Sequence, residues 1–237
     1  MLRLIHADLF KVFHRPAFYI MLAVLPGLAA LIVMMQQDGG TFTEMFSMSR
    51  FLLVYPAALL PLITQLTIGE EYRERTVKNT IEYGTGRGLY FSAKLISTVI
   101  LGAILTAAVF GVYFGTAALI LPVGDGVTGV LAADILTRIG AAFTVCVAAA
   151  VMSMFLLTVF GRSAMAIFAY YGILYLSNLI LVLFRLSSLV PYLLKTQFSS
   201  LSGRTPPDYG FVLTVSAVTF AVFFAGGLAA LRKKDMA

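Results

Sequence analysis

The sequence contains few of the residues that build disulfide, metal and nucleotide sites. It has one cysteine, two histidines, no tryptophan and only 12% charged residues. The single cysteine, Cys146, excludes an internal disulfide and a Cys-x-x-Cys metal site. His6 and His14 precede the first long apolar run, so we expect no metal site. Because there is no Gly-x-x-x-x-Gly-Lys-Ser/Thr phosphate loop, we expect no ATP hydrolysis, no cofactor and no catalytic residue on this chain.

What the sequence does contain is long apolar runs. Hydrophobic residues make up 60% of the chain, and the mean hydropathy is +0.94. The runs are continuous rather than alternating, which favours membrane helices over a β-barrel. Each holds about the 20 apolar residues that a bilayer core of about 30 Å requires. We therefore predict an all-α membrane protein, one domain over 1–237, with six spanning helices near 17–35, 51–69, 95–121, 135–160, 164–184 and 211–231.

The basic residues predict the orientation. Of 17 lysines and arginines, twelve fall at the chain ends and in one set of loops, and five fall in the other set. Cytoplasmic loops carry the excess of basic residues, so both termini and the 70–94 loop are expected on the cytosolic side of the membrane. Because the basic residues flank apolar runs and form no continuous patch, we expect no nucleic-acid partner.

Two further segments are expected to be helical without spanning the bilayer. Residues 1–16 place Ile5, Leu9 and Val12 at helical spacing beside Lys11 and Arg15, which predicts an interfacial helix. The alternative is a signal peptide, but no small-residue cleavage site follows the apolar run. Residues 185–210 are too apolar for a loop in water, which favours short re-entrant helices over a flexible lid.

The interiors of the predicted helices contain few polar side chains. We expect no Asp, Glu, Lys or Arg there, which argues against a proton- or sodium-coupled carrier. Three residues are candidates to line a transport path: Gln65, Tyr171 and Asn178. Hydrogen bonding between helices and core packing would explain the same residues.

A dense run of charge, 70–79, separates the second and third predicted helices. Val77 and Ile81 then form a short apolar stripe beside polar neighbours, and Gly84, Gly86 and Gly88 end the helical pattern. An amphipathic helix at the membrane surface suits insertion into a groove on a partner protein. The alternative is a solvated charge run with no partner.

This segment resembles the permease subunits of the ABC type-2 exporter superfamily. The residues that carry the resemblance run from Gly69 to Ile81, continue at Gly86-Arg87 and end with Tyr90-Phe91-Ser92-Ala93-Lys94-Leu95. Arg75-Thr76 stands where the superfamily commonly has Gly-Thr, and Leu231-Arg232-Lys233-Lys234-Asp235 is similar to its short basic tail. Within the superfamily, the chain is most similar to small bacterial permeases linked to bacitracin resistance and lantibiotic immunity.

The resemblance implies a function and partners. It implies that 76–83 is a coupling helix seated on an ABC ATPase subunit, present in two copies, which holds ATP and Mg²⁺. It implies a second permease subunit, identical or related, and export of an amphipathic or hydrophobic substrate such as an antimicrobial peptide. The residues expected to contact the ATPase are Arg73, Arg75, Thr76, Val77, Lys78, Asn79, Ile81 and Glu82.

Two other classes of function fit the topology. A channel or membrane receptor without an ATPase partner would explain the six helices but would leave the charged loop without a role. A membrane-embedded enzyme acting on lipid would need a polar catalytic cluster at one interface, and the sequence offers no paired carboxylates or histidines for one.

Overall fold

A computed structural model describes residues 1–36, 39–73, 86–124 and 126–234. These residues form helices joined by short turns, and they contain no β-strand. The predicted all-α class is therefore confirmed. The helices are α1 Leu2–Phe13, α2 Pro16–Met34, α3 Phe42–Arg73, α4 Arg87–Ile120, α5 Gly129–Phe160, α6 Ser163–Leu183, α7 Leu194–Ser202 and α8 Tyr209–Lys234.

Within the described residues, six helices are long and apolar enough to cross a membrane: α2, α3, α4, α5, α6 and α8. This confirms the predicted number of spanning helices, but α3, α4 and α5 begin six to nine residues earlier than the sequence suggested. In α4, the segment from Arg87 to Lys94 is helical although it lies outside the apolar run. The helix extends beyond the apolar run because its own backbone hydrogen bonds do not depend on lipid contact.

Two spanning helices contain a π-turn. In α3 it covers Gln65–Gly69, and in α6 it covers Gly172–Leu176. Such turns widen the helix by one residue and frequently occur at functional sites. Both π-turns border the sites described below.

The central helix of the bundle is α5. Of the 18 most apolar consecutive residues of α5, 61% are buried, whereas only 17% of the corresponding residues of α6 are buried. It packs against α3, α6 and α8, while α4 packs against α1 and α2. Three consecutive residues of α5, Ala148, Ala149 and Ala150, are buried, so this part of the helix is covered on more than one side. Small residues of this kind let helix backbones approach closely.

The start of α4 and the C-terminal half of α8 lie on the same side of the bundle as α1. Phe91, near the start of α4, packs against Phe224 near the end of α8 at 5.4 Å between ring centroids. We call this side the terminal face and the other the opposite face. That the terminal face is cytosolic remains a prediction.

Both segments predicted to be non-spanning helices are helical. Helix α1 buries Asp8 and Val12 against α4 and leaves Leu2 and Phe10 exposed. Segment 185–210 contains a 3₁₀ helix, Ser187–Tyr192, followed by α7. The location of α1 at a membrane interface and the re-entry of 185–210 into the bilayer remain predictions.

Candidate functional site

A cluster of charged and hydrogen-bonded side chains, all buried or partly buried except that of Lys11, lies on the terminal face where α1, the end of α3 and the start of α4 meet. It consists of Asp8, Lys11, Glu71, Tyr90 and Lys94, and we call it the charge cluster. The sequence brings these residues from three separate segments, so only the packing of α1 against α4 and of α3 against α4 assembles them.

Lys94 is the centre of the charge cluster. Its side chain is 3% exposed, and its Nζ lies 2.6 Å from Asp8 Oδ1 and 2.7 Å from Glu71 Oε1. It also donates to the backbone carbonyl of Thr67 at 3.4 Å. A lysine ammonium has three hydrogens, so these three acceptors satisfy it completely. Burial of an ammonium costs several kcal/mol unless it is paired in this way, so the carboxylates are required for Lys94 to be buried.

The two carboxylates have their own additional donors. Tyr90 Oη donates to Glu71 Oε2 at 2.8 Å, and Lys11 Nζ lies 3.2 Å from Glu71 Oε1. Ser97 Oγ donates to Asp8 Oδ2 at 3.2 Å. Burial raises the pKa of the Asp8 carboxyl, and the Lys94 ammonium opposes that shift. All four carboxylate oxygens are therefore hydrogen-bonded, which a buried polar network needs if it is to be stable.

The π-turn of α3 belongs to the same structure. Its Thr67 carbonyl accepts from Lys94, and its Leu66 carbonyl accepts from Arg15 Nη1 at 3.1 Å. Arg15 also pairs with the carboxylate of Glu70. A π-turn displaces backbone carbonyls from their ordinary partners, which leaves them available to side chains. The chain between α1 and α2 is thus tied to the π-turn just before α3 ends.

The charge cluster flanks the segment predicted to bind a partner. The described part of α3 ends at Arg73, two residues after Glu71, and α4 begins at Arg87, one turn before Tyr90. The ion pairs therefore hold the end of α3 and the start of α4 against α1. Of the predicted ATPase contacts, Arg73 lies at the end of α3, whereas Arg75, Thr76, Val77, Lys78, Asn79, Ile81 and Glu82 lie outside the described residues.

The three candidate path-lining residues lie on α3 and α6. Tyr171 Oη donates to the Ala58 carbonyl at 2.6 Å and so ties α6 to α3. Gln65, in the π-turn of α3, lines a small pocket with Ser163 at the start of α6. Asn178 is partly buried two turns beyond Tyr171. A path-lining role for these three residues remains a prediction.

The expectation that the helix interiors hold no ionisable residue is wrong. Lys94 lies within α4 because that helix begins at Arg87, and Arg138 lies within α5 and is 1% exposed. Arg138 pairs with Asp134 at 2.9 Å and donates to backbone carbonyls at the end of α7. Lys94 lies seven residues, and Arg138 nine residues, from the first residue of its helix. The sequence argument against an ion-coupled carrier therefore loses its premise.

Sequence reasoning missed Asp8, although a signal for it was present. Asp8 follows Ile5 by three residues and precedes Val12 by four, so it shares the apolar face of α1. A carboxylate on an apolar face that becomes buried requires a cationic partner. The pattern indicates that a partner exists, but nothing in the sequence identifies it as Lys94, 86 residues further along the chain.

An apolar cavity of about 320 Å³ lies between α3, α4 and α5. Its walls include Leu60, Gly102, Phe110, Phe143 and Cys146. The one hydroxyl group among the lining residues, that of Thr106, donates to the Gly102 carbonyl at 2.7 Å. The cavity therefore presents almost no free polar group and suits an apolar chain or ring system.

Comparison with protein-family models and with curated proteins found no match to this sequence. The functional proposal below therefore depends on the residues, the geometry of the charge cluster and the resemblance described above.

Proposed function

We propose that this chain is the membrane-spanning permease subunit of an ATP-driven exporter in a bacterial plasma membrane. In this proposal, 76–83 contacts an ABC ATPase subunit that holds ATP and Mg²⁺. Two permease subunits, identical or related, pair with two ATPase subunits. The observation that carries the proposal is the charge cluster, because it joins to α1 the two helix ends that flank this segment, the end of α3 and the start of α4.

The charge cluster supplies a mechanical connection. A partner that displaces 74–85 would act on Glu71 and on the start of α4. Glu71 is paired with the Lys94 ammonium and accepts a hydrogen bond from Tyr90, and both of these residues lie near the start of α4. Such bonds are short and are held in a protein interior, where electrostatic interactions are stronger than in water. A push on 74–85 would therefore move α1, α3 and α4 together rather than bend the loop alone.

The proposed substrate is amphipathic or hydrophobic. The cavity between α3, α4 and α5 is lined almost entirely by apolar side chains. It borders α3, the helix that carries Gln65, one of the candidate path-lining residues. An antimicrobial peptide or a similar amphiphile fits this chemistry better than a sugar or an ion does.

The proposal is tested by isolating the intact chain from its native cells in mild detergent and identifying the proteins bound to it. We expect an ATPase subunit in stoichiometric amount, and we expect Lys78→Glu combined with Glu82→Lys to release it. Arg162→Glu is the matched control, since it alters charge in another predicted cytosolic loop. Absence of an ATPase from an intact complex would favour a channel or receptor. Retention of the ATPase by the double variant would refute the assigned contact.

A further inference from the structure

A second cavity, of about 180 Å³, is lined by residues of the second half of the chain, apart from those of the charge cluster. Its walls come from α5, α6, α8, the end of the 3₁₀ helix and the start of α7. The lining residues are Met152, Ile173, Leu174, Ser177, Tyr192, Leu193, Leu194, Lys195, Thr219 and Phe223. Most of this lining is apolar, but it contains one ammonium group and one unusual hydroxyl.

The hydroxyl of Ser177 is the unusual feature. Among the described residues, Ser177 Oγ is the one buried side-chain nitrogen or oxygen that has no hydrogen-bond partner. Other helical hydroxyls in the bundle donate to the carbonyl four residues earlier, as Thr98, Thr158 and Ser216 do. Ser177 directly follows the π-turn Gly172–Leu176, which contains the carbonyl that it would otherwise use. Its donor is therefore left for something inside the cavity.

The ammonium group belongs to Lys195, at the start of α7. Its Nζ lies 5.4 Å from the centre of the Tyr175 ring, which holds the positive charge beside the cavity. Ser177 is about 9 Å along α6 from Leu183, where that helix ends. The cavity thus has a cationic group, a hydroxyl donor in the half of α6 nearer the opposite face and a mainly apolar lining.

These three features match the parts of a phospholipid. Water alone would fit poorly, since a buried water needs two to four polar partners and the walls here are mainly apolar. A soluble anion would satisfy Lys195 but would leave the apolar interior empty. A lipid with an anionic headgroup supplies a phosphate for the ammonium, an ester carbonyl for the hydroxyl and an acyl chain for the interior.

We propose that this cavity binds one anionic phospholipid from the leaflet on the opposite face. The lipid phosphate pairs with Lys195, an ester carbonyl accepts from Ser177, and an acyl chain lies against Met152, Leu174 and Phe223. Because the end of the 3₁₀ helix and the start of α7 form one wall of the cavity, the bound lipid also holds segment 185–210 against α5 and α8. This site is independent of the proposed transport function.

The test is native mass spectrometry of the full chain in mild detergent, with phosphatidylglycerol and phosphatidylcholine of identical acyl chains added in turn. We expect wild type to bind phosphatidylglycerol about tenfold more tightly, since a hydrogen bond to a charged group is worth that much or more. Lys195→Gln should remove this preference. Ser177→Ala should weaken both lipids about threefold, the loss expected for a neutral hydrogen bond.

Matched control variants make the result specific. Arg185→Gln removes an exposed positive charge from the same face, and Ser216→Ala removes a buried hydroxyl that already has a partner. Neither should change lipid binding. Equal binding of the two lipids by wild type would overturn the proposal, and so would equal behaviour of Lys195→Gln and Arg185→Gln. If Lys195→Gln does not fold, the Ser177→Ala and Ser216→Ala variants provide the test. Equal lipid binding by these two variants would overturn the proposal.

Discussion

At the scale of single residues, Lys94 has the most demanding environment in the described chain. Its ammonium group donates hydrogen bonds to two carboxylates and a backbone carbonyl, and its side chain is 3% exposed. The pairing is therefore reciprocal. The carboxylates compensate for the burial of the ammonium, and the ammonium keeps two negative charges from facing each other in a region of low dielectric.

Removal of the Lys94 charge should destabilise the protein strongly. We expect Lys94→Met to lower the free energy of unfolding by about 3–5 kcal/mol, because it leaves Asp8 buried without a cation. Thermal unfolding of the detergent-solubilised protein measures the change. The matched control is Lys11→Met. The Lys11 side chain is 53% exposed, so solvent screening limits its pairing with Glu71 to about 1 kcal/mol or less.

A double variant separates charge from packing. If the cost of Lys94→Met comes from an uncompensated carboxylate, Asp8→Asn combined with Lys94→Met should be more stable than Lys94→Met alone. Lys11 remains to pair with Glu71 in both proteins. Equal stability of the single and double variants would instead assign the cost to lost side-chain packing.

At the scale of helices, the structure shows how α7 is held. Arg138 Nη1 donates to the carbonyls of Leu201 and Gly203 at 2.7 and 2.8 Å, and Nη2 donates to the Thr205 carbonyl at 3.0 Å. The last carbonyls of a helix have no partner within it, so an arginine at this position acts as a cap from a neighbouring helix. One side chain on α5 thus fixes the end of α7.

Replacement of Arg138 should loosen α7. We expect Arg138→Met to increase hydrogen exchange of the backbone amides in 194–203 by at least about tenfold, because the loss of charged hydrogen bonds favours local opening. Arg50→Met is the comparison, since Arg50 reaches the Gly203 and Arg204 carbonyls only at 3.5 and 3.4 Å. An equal increase in both variants would argue against a dominant role for Arg138.

Helix α8 depends on a glycine for its approach to α4. A Cβ atom added at Gly227 would lie 2.5 Å from Phe91 Cζ, closer than two carbon atoms can pack. We expect Gly227→Ala to cost about 1–3 kcal/mol from overpacking. Gly140→Ala in α5 is the control, because no atom lies within 4 Å of its added Cβ. There we expect a neutral or stabilising effect, since alanine favours helix more than glycine does.

At the scale of the whole molecule, the sequence was sufficient for the number of spanning helices but not for the site. Apolar runs of about 20 residues predict spanning helices whatever their neighbours are. The charge cluster depends on α1 packing against α4 at one register, which local periodicity does not encode. Arg138 was missed for a similar reason, because its acceptors are backbone carbonyls more than 60 residues away, and any sequence has those.

The predicted orientation can be tested directly because the chain has a single cysteine. In a Cys146→Ala background, Arg3→Cys and Arg232→Cys should resist a membrane-impermeant maleimide added to intact cells, whereas Leu189→Cys should react. Leu189 is 47% exposed, so access to it is not limited by packing. Permeabilised cells provide the control, since all three positions should then react. Labelling of Arg3→Cys in intact cells would reverse the assigned orientation.

Helix α4 has 34 residues, which gives a length of about 51 Å at 1.5 Å per residue. A bilayer core of about 30 Å leaves about 20 Å of this helix to be accommodated by tilt or by protrusion into water. Lys94 lies only about 10 Å from the first residue of α4. Its low-dielectric surroundings are therefore made by α1 and α3 and not by lipid. The charge cluster should consequently be insensitive to bilayer thickness and should remain intact in detergent micelles.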